Sequence, residues 1–321
     1  MEGPVRLGAV LVAYNSADHI DNCIASCLQF RNEFEAGIVV IDNASTDGTV
    51  AKSRAHDGVL TVQNPTNRGF AGAVNQGCEL LSTAEAVLIL NPDAILLNPP
   101  SILATELNDE TVAAAGGLLL DASGQAQAGF QVRRFPTAST LVFENLGINR
   151  IWPGNPINRQ YRYLDLDTGK SADVEQPAGA CLLLRRAAWK AVRGMDERFF
   201  PVWFEDVDLL KRLADAGWKA RYVAAFSARH EGGHSVRAVE WSNRQLYWCG
   251  SLLRYAGIHC STFGLWAVAF SVLLGWIPRA VTGMFLQRSF RHLTEYMNLI
   301  RLVGAYLSVG RSEARLPWNA L

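Results

Sequence analysis

The chain of 321 residues is 49% hydrophobic and 19% charged, which is enough length and apolar content for one large domain with an appendage or for two domains. Formal net charge is zero, but residues 1–235 carry 21 Lys+Arg against 27 Asp+Glu, while residues 236–321 carry nine Arg against Glu240, Glu295 and Glu313. An acidic body therefore bears a basic tail, a split in which no nucleic-acid partner is expected. Cys23, Cys27, Cys78, Cys181, Cys249 and Cys260 form no CxxC pair and no zinc spacing, and read as buried reduced thiols of a cytosolic protein.

In chain order, the first element is "RLGAVLVAYN", too short for a signal peptide and stopped by polar residues, hence a strand. Further apolar runs occur at 37–41 (GIVVI), 59–62 (VLTV) and 86–90 (AVLIL). They are short, β-branched and continuous rather than alternating, as in strands buried on both faces of a parallel sheet. The polar segments between them are long enough for crossover helices, so an open α/β sheet is expected.

Each run ends in a polar cluster: Asn15 and Ser16, then "DNASTDGT" with Asp42 and Asp47, then "QNPTNRGFAG" with Asn67 and Arg68, then "NPDA" with Asp93. One such cluster is ordinary turn and cap chemistry. Four together, at the carboxyl ends where open α/β sheets bind ligands, point to one crevice. No GxxxxGK[ST] motif is present, and no GxGxxG follows the first strand, so any diphosphate must be held by a metal and scattered side chains. The missing glycine fingerprint also disfavours a nicotinamide-dependent oxidoreductase.

Residues 113–135 read as another strand and loop, 136–172 as an irregular excursion, and 179–192 as a strand running into a helix. Then comes "FFPVWFEDVDLL" (199–210), where aromatic residues crowd against Glu205 and Asp206. A helical stripe from Val207 ends at Gly217. The two carboxylates then sit at a helix N-terminus, whose dipole favours their ionised form, while aromatic walls raise their pKa by desolvation. A partly dry carboxylate suits a general base, although an N-cap with solvated neighbours has the same pattern. Asp93 at a strand end could hold Mg2+ or Mn2+, which take one or two carboxylates plus substrate phosphates. His230 is a candidate further ligand, and His234 a weaker one.

The ordered set "VAYNS … VIDNASTDGT … NPTNRGFAGAVNQG … LNPDA … PAGACLLLRRAAW … GMDERFFPVWFEDVDLLKRLADAGW … RHEGGHS" resembles inverting family-2 glycosyltransferases, above all the bacterial rhamnosyltransferase-like members, over roughly residues 5–237. The resemblance implies the glycosyltransferase A-type fold, an α/β Rossmann-like, mostly parallel open sheet. It implies a catalytic nucleotide-sugar domain over 1–237 and a helical, membrane- or acceptor-associated region over 238–321. It further implies that Asp42 contacts the donor base or ribose, with Asn15, Asp47, Asn67 and Arg68 lining the same nucleotide site. Asp93, in "NPD" where many relatives carry DxD, becomes the metal ligand with His230. Asp206 becomes the catalytic base beside Glu205, with Gly179, Trp203 and Phe204 in the sugar and acceptor pocket. The implied donor is dTDP-rhamnose, with a UDP-hexose as the alternative within the class and an inert nucleotide-sugar-binding membrane scaffold as the alternative outside it.

In the tail, "CSTFGLWAVAFSVLLGWIP" (260–278) is uncharged, with a convincing apolar core at 263–277 and Pro278 expected to close it. Nineteen residues approach a membrane span. The Arg residues with Trp241, Trp248, Trp266, Trp276 and Trp318 favour helices lying in a membrane surface, leaving a buried or oligomer-forming helix and a true span as alternatives. A lipid-linked or envelope glycan acceptor on the cytoplasmic face of the plasma membrane is the resulting expectation, with a homo-oligomer possible.

Overall fold

A computed structural model describes residues 5–232, 241–286 and 291–309. His234 and Trp318 lie outside the described residues, as does the 237/238 boundary. The strands are β1 (Leu7–Ala13), β2 (Gly37–Asp42), β3 (Val59–Gln63), β4 (Ala86–Leu90), β5 (Ala94–Leu96), β6 (Val112–Leu120), β7 (Val132–Arg133), β8 (Ala172–Val174), β9 (Gln176–Pro177), β10 (Cys181–Arg185) and β11 (Lys219–His230). The helices are α1 (Ile20–Gln29), α2 (Thr49–Arg54), α3 (Gly69–Leu80), α4 (Ser101–Ala104), α5 (Ala138–Asn145), α6 (Ile148–Ile151), α7 (Pro156–Tyr161), α8 (Arg186–Ala191), α9 (Glu205–Asp215), α10 (Trp241–His259), α11 (Thr262–Leu286) and α12 (Arg291–Val309).

The continuous apolar runs are explained by burial on both faces. In β1, Leu7, Ala9, Leu11 and Ala13 enter one core with Ile20, Cys23, Ile24 and Cys27 of α1. Val10 and Val12 enter a second core with Ala71, Ala73, Val74 and Cys78 of α3. β4 divides the same way, Leu88 and Leu90 to one side, Val87 and Ile89 to the other. Each fully buried Val, Leu or Ile stabilises the fold by about 1.5–3 kcal/mol relative to exposure. The six cysteines are free thiols, five of them buried.

The main sheet runs β3-β2-β1-β4-β10-β6-β11-β5, with β8 on β11. β1 pairs in parallel with both β2 and β4, so the chain steps outward to β3 and then returns to the other side of β1. That reversal is a topological switch point, and a ligand crevice opens beyond the carboxyl ends of the strands there. β10 is antiparallel to β4 and β6, and β11 is parallel to β6. A separate ribbon pairs β7 with β9.

The chain divides into two compact units. The first is Met1–Phe135, Arg162–Pro201 and Glu205–Ala238; the second is Pro136–Tyr161, Val202–Phe204 and Val239–Leu321. The stretch expected to be irregular thus contributes three short helices to the second unit. α5 starts there because Thr137 caps it, its hydroxyl accepting the Thr140 N–H at 3.2 Å.

Pro278 does not close the apolar run: α11 continues through it to Leu286. One interior proline removes one hydrogen bond, at about 3 kcal/mol, and the apolar residues on either side keep the helix in register. By length and composition Thr262–Thr282 is long and apolar enough to cross a membrane. Phe263, Trp266, Phe270, Leu274, Ile277 and Val281 are all exposed. Their spacing of three or four residues places them on one stripe of α11.

Candidate active site

Two groups of side chains in the first unit hold the carboxylates and the imidazole singled out from the sequence. The first lies where β4 ends and β11 ends. Asp93 comes just after β4, and His230 is the last residue of β11, whose register pairs it with Ala94. Both are nearly fully buried. Asp93 Oδ1 lies 3.5 Å from His230 Nε2, and Asp93 Oδ2 accepts the Gly232 N–H at 3.1 Å.

Gln127 fixes the imidazole. Its Nε2 donates to the His230 carbonyl at 2.7 Å, which turns its Oε1 towards His230 Nδ1 at 3.2 Å. Nδ1 therefore carries the proton and Nε2 the lone pair, an assignment from the bonding pattern. The Asn91 Nδ2, 3.5 Å from Nε2, is a weak donor to that lone pair. Burial pushes the His230 pKa down, against the opposing pull of Asp93 and Glu231, so the ring is neutral. Two acceptors, a carboxylate oxygen and an imidazole lone pair, thus face each other across 3.5 Å. That is a repulsive arrangement which a cation would relieve, and the Gln127 contact is the outer-shell orientation metal-binding histidines use. Among the described residues no cluster of three or more His, Cys, Asp or Glu could hold a metal. The donor set fits a hard divalent ion whose remaining ligands come from a diphosphate.

The second group stands at the start of α9. Glu205 and Asp206 are its first residues, as the helical stripe predicts, but they differ. Glu205 is 4% exposed, and its Oε2 is buried without a hydrogen-bond partner. Burial, reinforced by repulsion from Asp206, pushes its pKa well above the usual carboxylate range. Asp206 is half-buried. It accepts the Val207 N–H at 2.8 Å and the Gly179 N–H at 3.2 Å. Burial raises its pKa, and the two N–H donors and the charge of Arg133 oppose that rise. The third carboxylate, Asp208, is a brace: it bonds Arg212 Nε at 2.8 Å, whose other nitrogens donate to the carbonyls of Val192 and Gly194.

Gly179 is required by close approach. A Cβ there would lie 2.7 Å from Asp206 Oδ2 and 3.0 Å from Asp206 Cβ.

The remaining expected nucleotide residues cluster at the ends of β1 to β3. Asp42 is fully buried; its Oδ2 accepts the Ser45 N–H at 3.0 Å and its Oδ1 has no partner. An unmet buried carboxylate oxygen is costly unless a ligand donor reaches it. Asn15, at φ 47°, accepts the Thr46 N–H at 2.9 Å and donates its own N–H to Ser45 Oγ at 2.8 Å, stitching the first two loops together. Asp47 is committed to loop structure: it accepts N–H groups of Thr49 and Ala17 at 3.0 and 3.1 Å. Burial raises its pKa, but the Thr49 hydroxyl and these N–H groups outweigh it, so the net shift is downward. Asn67 accepts the Gly69 N–H at 2.7 Å and opens α3. Arg68 is 4.0 Å from Glu197 and lines a cavity of about 620 Å³ with Asn75, Gln76, Trp189 and Arg193.

Sequence reasoning missed Gln127, and also Asn43, whose Nδ2 donates to the Gly69 carbonyl at 2.9 Å and whose Oδ1 accepts from Asn64 at 3.1 Å. Trp203 and Phe204 belong to the second unit. There the Phe204 ring lies 5.4 Å from that of Tyr255 and 6.4 Å from that of Trp248. Both residues have positive φ, 81° and 69°, which for bulky side chains is strained at about 1–3 kcal/mol each.

The mostly parallel open sheet, with polar strand ends at its switch point, is that of the glycosyltransferase A-type fold. Solved structures share that fold: GalNAc-T7 with UDP, GalNAc and Mn2+ (TM-score 0.58, 14% identity, 82% of this chain and 49% of that one, so that this chain spans about half its length), and the mannosyltransferase PcManGT from Pyrobaculum calidifontis with GDP-Man and Mn2+ (TM-score 0.53, 16% identity, 96% and 88%). Residues 9–134 match Glycosyl transferase family 2. The N-acetylglucosaminyl-diphospho-decaprenol L-rhamnosyltransferase of Mycobacterium tuberculosis is 31% identical over 244 residues, 72% of this chain and 77% of that one. The chain belongs to glycosyltransferase family 2, is rhamnosyltransferase-like, and is a glycosyltransferase enzyme.

Proposed function

We propose that the enzyme transfers rhamnose from dTDP-rhamnose to a hydroxyl of a lipid-linked or cell-envelope glycan, in a single displacement that inverts the anomeric carbon. The observation that carries this reading is the split between the two carboxylates at the start of α9. Glu205 is buried with Oε2 unpartnered, whereas Asp206 is aimed by the N–H groups of Gly179 and Val207. Asp206 takes the proton of the acceptor hydroxyl as that oxygen attacks the anomeric carbon and the bond to the diphosphate breaks. Asp93 and His230 would hold Mg2+ or Mn2+, which supplies charge neutralisation to the departing diphosphate. Asp42, with its unmet oxygen, receives a donor from the base or ribose. Asn15, Asp47 and Asn67 shape the loops around it, and Arg68 sits at the rim. Gly179, whose N–H meets Asp206, is assigned to the sugar pocket.

The donor is tested by thermal shift with dTDP, UDP and GDP, with and without Mn2+. Ligand at about a hundred times its Kd stabilises by about 2.7 kcal/mol, a rise of about 4 °C for a protein of this size. A Mn2+-dependent rise with dTDP, lost in Asp93→Ala, is expected. A rise with UDP alone would move the donor to a UDP-hexose, and none with any nucleotide would overturn the donor site assigned here.

The relative from M. tuberculosis is named for a diphospho-decaprenol acceptor. The exposed apolar stripe of α11 and the basic tail suit an enzyme lying on the cytoplasmic face of the plasma membrane to meet such an acceptor. Flotation with anionic vesicles should carry the protein upward; a wholly unbound protein would sink this placement.

A further inference from the structure

Arg133 and Arg134 are adjacent, and their side chains leave opposite faces of the backbone. Arg134 is held structurally: Nη1 lies 2.9 Å from Glu175, and its guanidinium lies 4.6 Å from the centre of the Tyr163 ring. Arg133 faces the chemistry. Its guanidinium lies 5.3 Å from the centre of the Phe130 ring, and its Nε donates to the Gly129 carbonyl at 2.9 Å, which fixes its orientation. The same Phe130 ring stacks on His230 at 5.3 Å and 8°. Arg133 and the imidazole beside Asp93 therefore rest on one aromatic plate.

The ribbon ties Arg133 to the other carboxylate as well. Arg133 pairs with Gln176 and Val132 with Pro177. The next residue, Ala178, donates its N–H to the Gln131 carbonyl at 3.0 Å, and Gly179 then donates to Asp206. A half-buried guanidinium thus shares an aromatic ring with the imidazole of the carboxylate–imidazole pair, on a strand whose partner leads into Gly179 and its bond to Asp206. Its planar fork matches phosphate oxygens bidentately, which lysine cannot reproduce.

We propose that Arg133 is a binding residue for a substrate diphosphate, resting on the glycosyltransferase reading above. The diphosphate has two possible sources: the nucleotide donor, where Arg133 would hold the leaving group, or a prenyl diphosphate acceptor, where it would hold the lipid-side anion near Asp206.

Titration calorimetry separates these, using dTDP with Mn2+ and farnesyl diphosphate as probes on the full chain, for the wild type, Arg133→Met and Arg133→Lys. Met keeps contact with the Phe130 ring and removes the charge. Arg133→Met is expected to weaken one probe by about 10- to 100-fold, with Arg133→Lys falling between it and the wild type. Loss confined to dTDP assigns the donor; loss confined to farnesyl diphosphate assigns the acceptor, and the KM for that substrate should rise more than kcat falls. If Arg133→Met does not fold, Arg133→Lys carries the same reading through loss of the fork. Variants that bind both probes within about twofold of the wild type would overturn the proposal and leave the glycosyltransferase reading standing. Wild-type protein that binds neither dTDP nor UDP with Mn2+ would overturn both.

Discussion

Replacing Asp206 with Asn should lower kcat by about 10²- to 10⁴-fold, the range a positioned general base contributes, while dTDP binding with Mn2+ stays unchanged. Asn keeps the shape and can still accept the Gly179 N–H, so the loss reports the missing proton acceptor rather than a collapsed site. The pH dependence supplies the second half of the test. A base must be ionised to act, and burial raises the Asp206 pKa. kcat/KM should therefore fall as pH drops through a value above the usual carboxylate range, and Asp206→Asn should abolish that acidic limb. Glu205→Gln is the control. Burial and the neighbouring Asp206 push the Glu205 pKa up and so favour its neutral form, which Gln mimics, so the limb should survive. If Glu205→Gln removes the limb and Asp206→Asn keeps it, the two roles are reversed.

How much of this site can be read from sequence depends on how far each residue's position is set locally. Asp93 and the polar ends of β1 to β3 are legible because strands buried on both faces announce themselves as continuous apolar runs, and the residues just beyond such a run sit at the sheet's binding edge. Glu205 and Asp206 are legible as a helix start from the apolar stripe that begins at Val207. The difference in their surroundings is not, because it depends on which side chain finds backbone N–H donors, and one of those comes from Gly179, 27 positions earlier in the chain. Gln127 and Arg133 are hidden for the same reason. They lie on the excursion after β6, and only the pairing of β7 with β9 and the return of β11 bring them to Asp206 and His230. Pro278 shows the reverse error, in which a local rule for ending helices is overridden by apolar sequence on both sides.

Gly179→Ala should lower activity sharply, because one added methyl would collide with the proposed base. The new Cβ would lie 2.7 Å from Asp206 Oδ2, closer than real Cβ contacts come. Turning the carboxylate to another rotamer does not remove the conflict, because the Asp206 Cβ itself is 3.0 Å away and moves only with the helix backbone. Either α9 shifts or the chain before β10 does, and in both cases the Gly179 N–H that aims the carboxylate is displaced. Overpacking of this kind costs about 1–3 kcal/mol of stability, visible as a lower melting temperature. A misplacement on the order of 1 Å costs about 10²-fold in rate. We therefore expect kcat to fall about 100-fold in Gly179→Ala with dTDP and Mn2+ affinity retained, since Asp42, Asp93 and His230 stand on other elements. Gly154→Ala, where a Cβ meets nothing within 4 Å, should change neither quantity. Near-normal kcat in Gly179→Ala would mean that Asp206 is not held in its working position by this contact, and the assignment of the base would have to move to a different geometry.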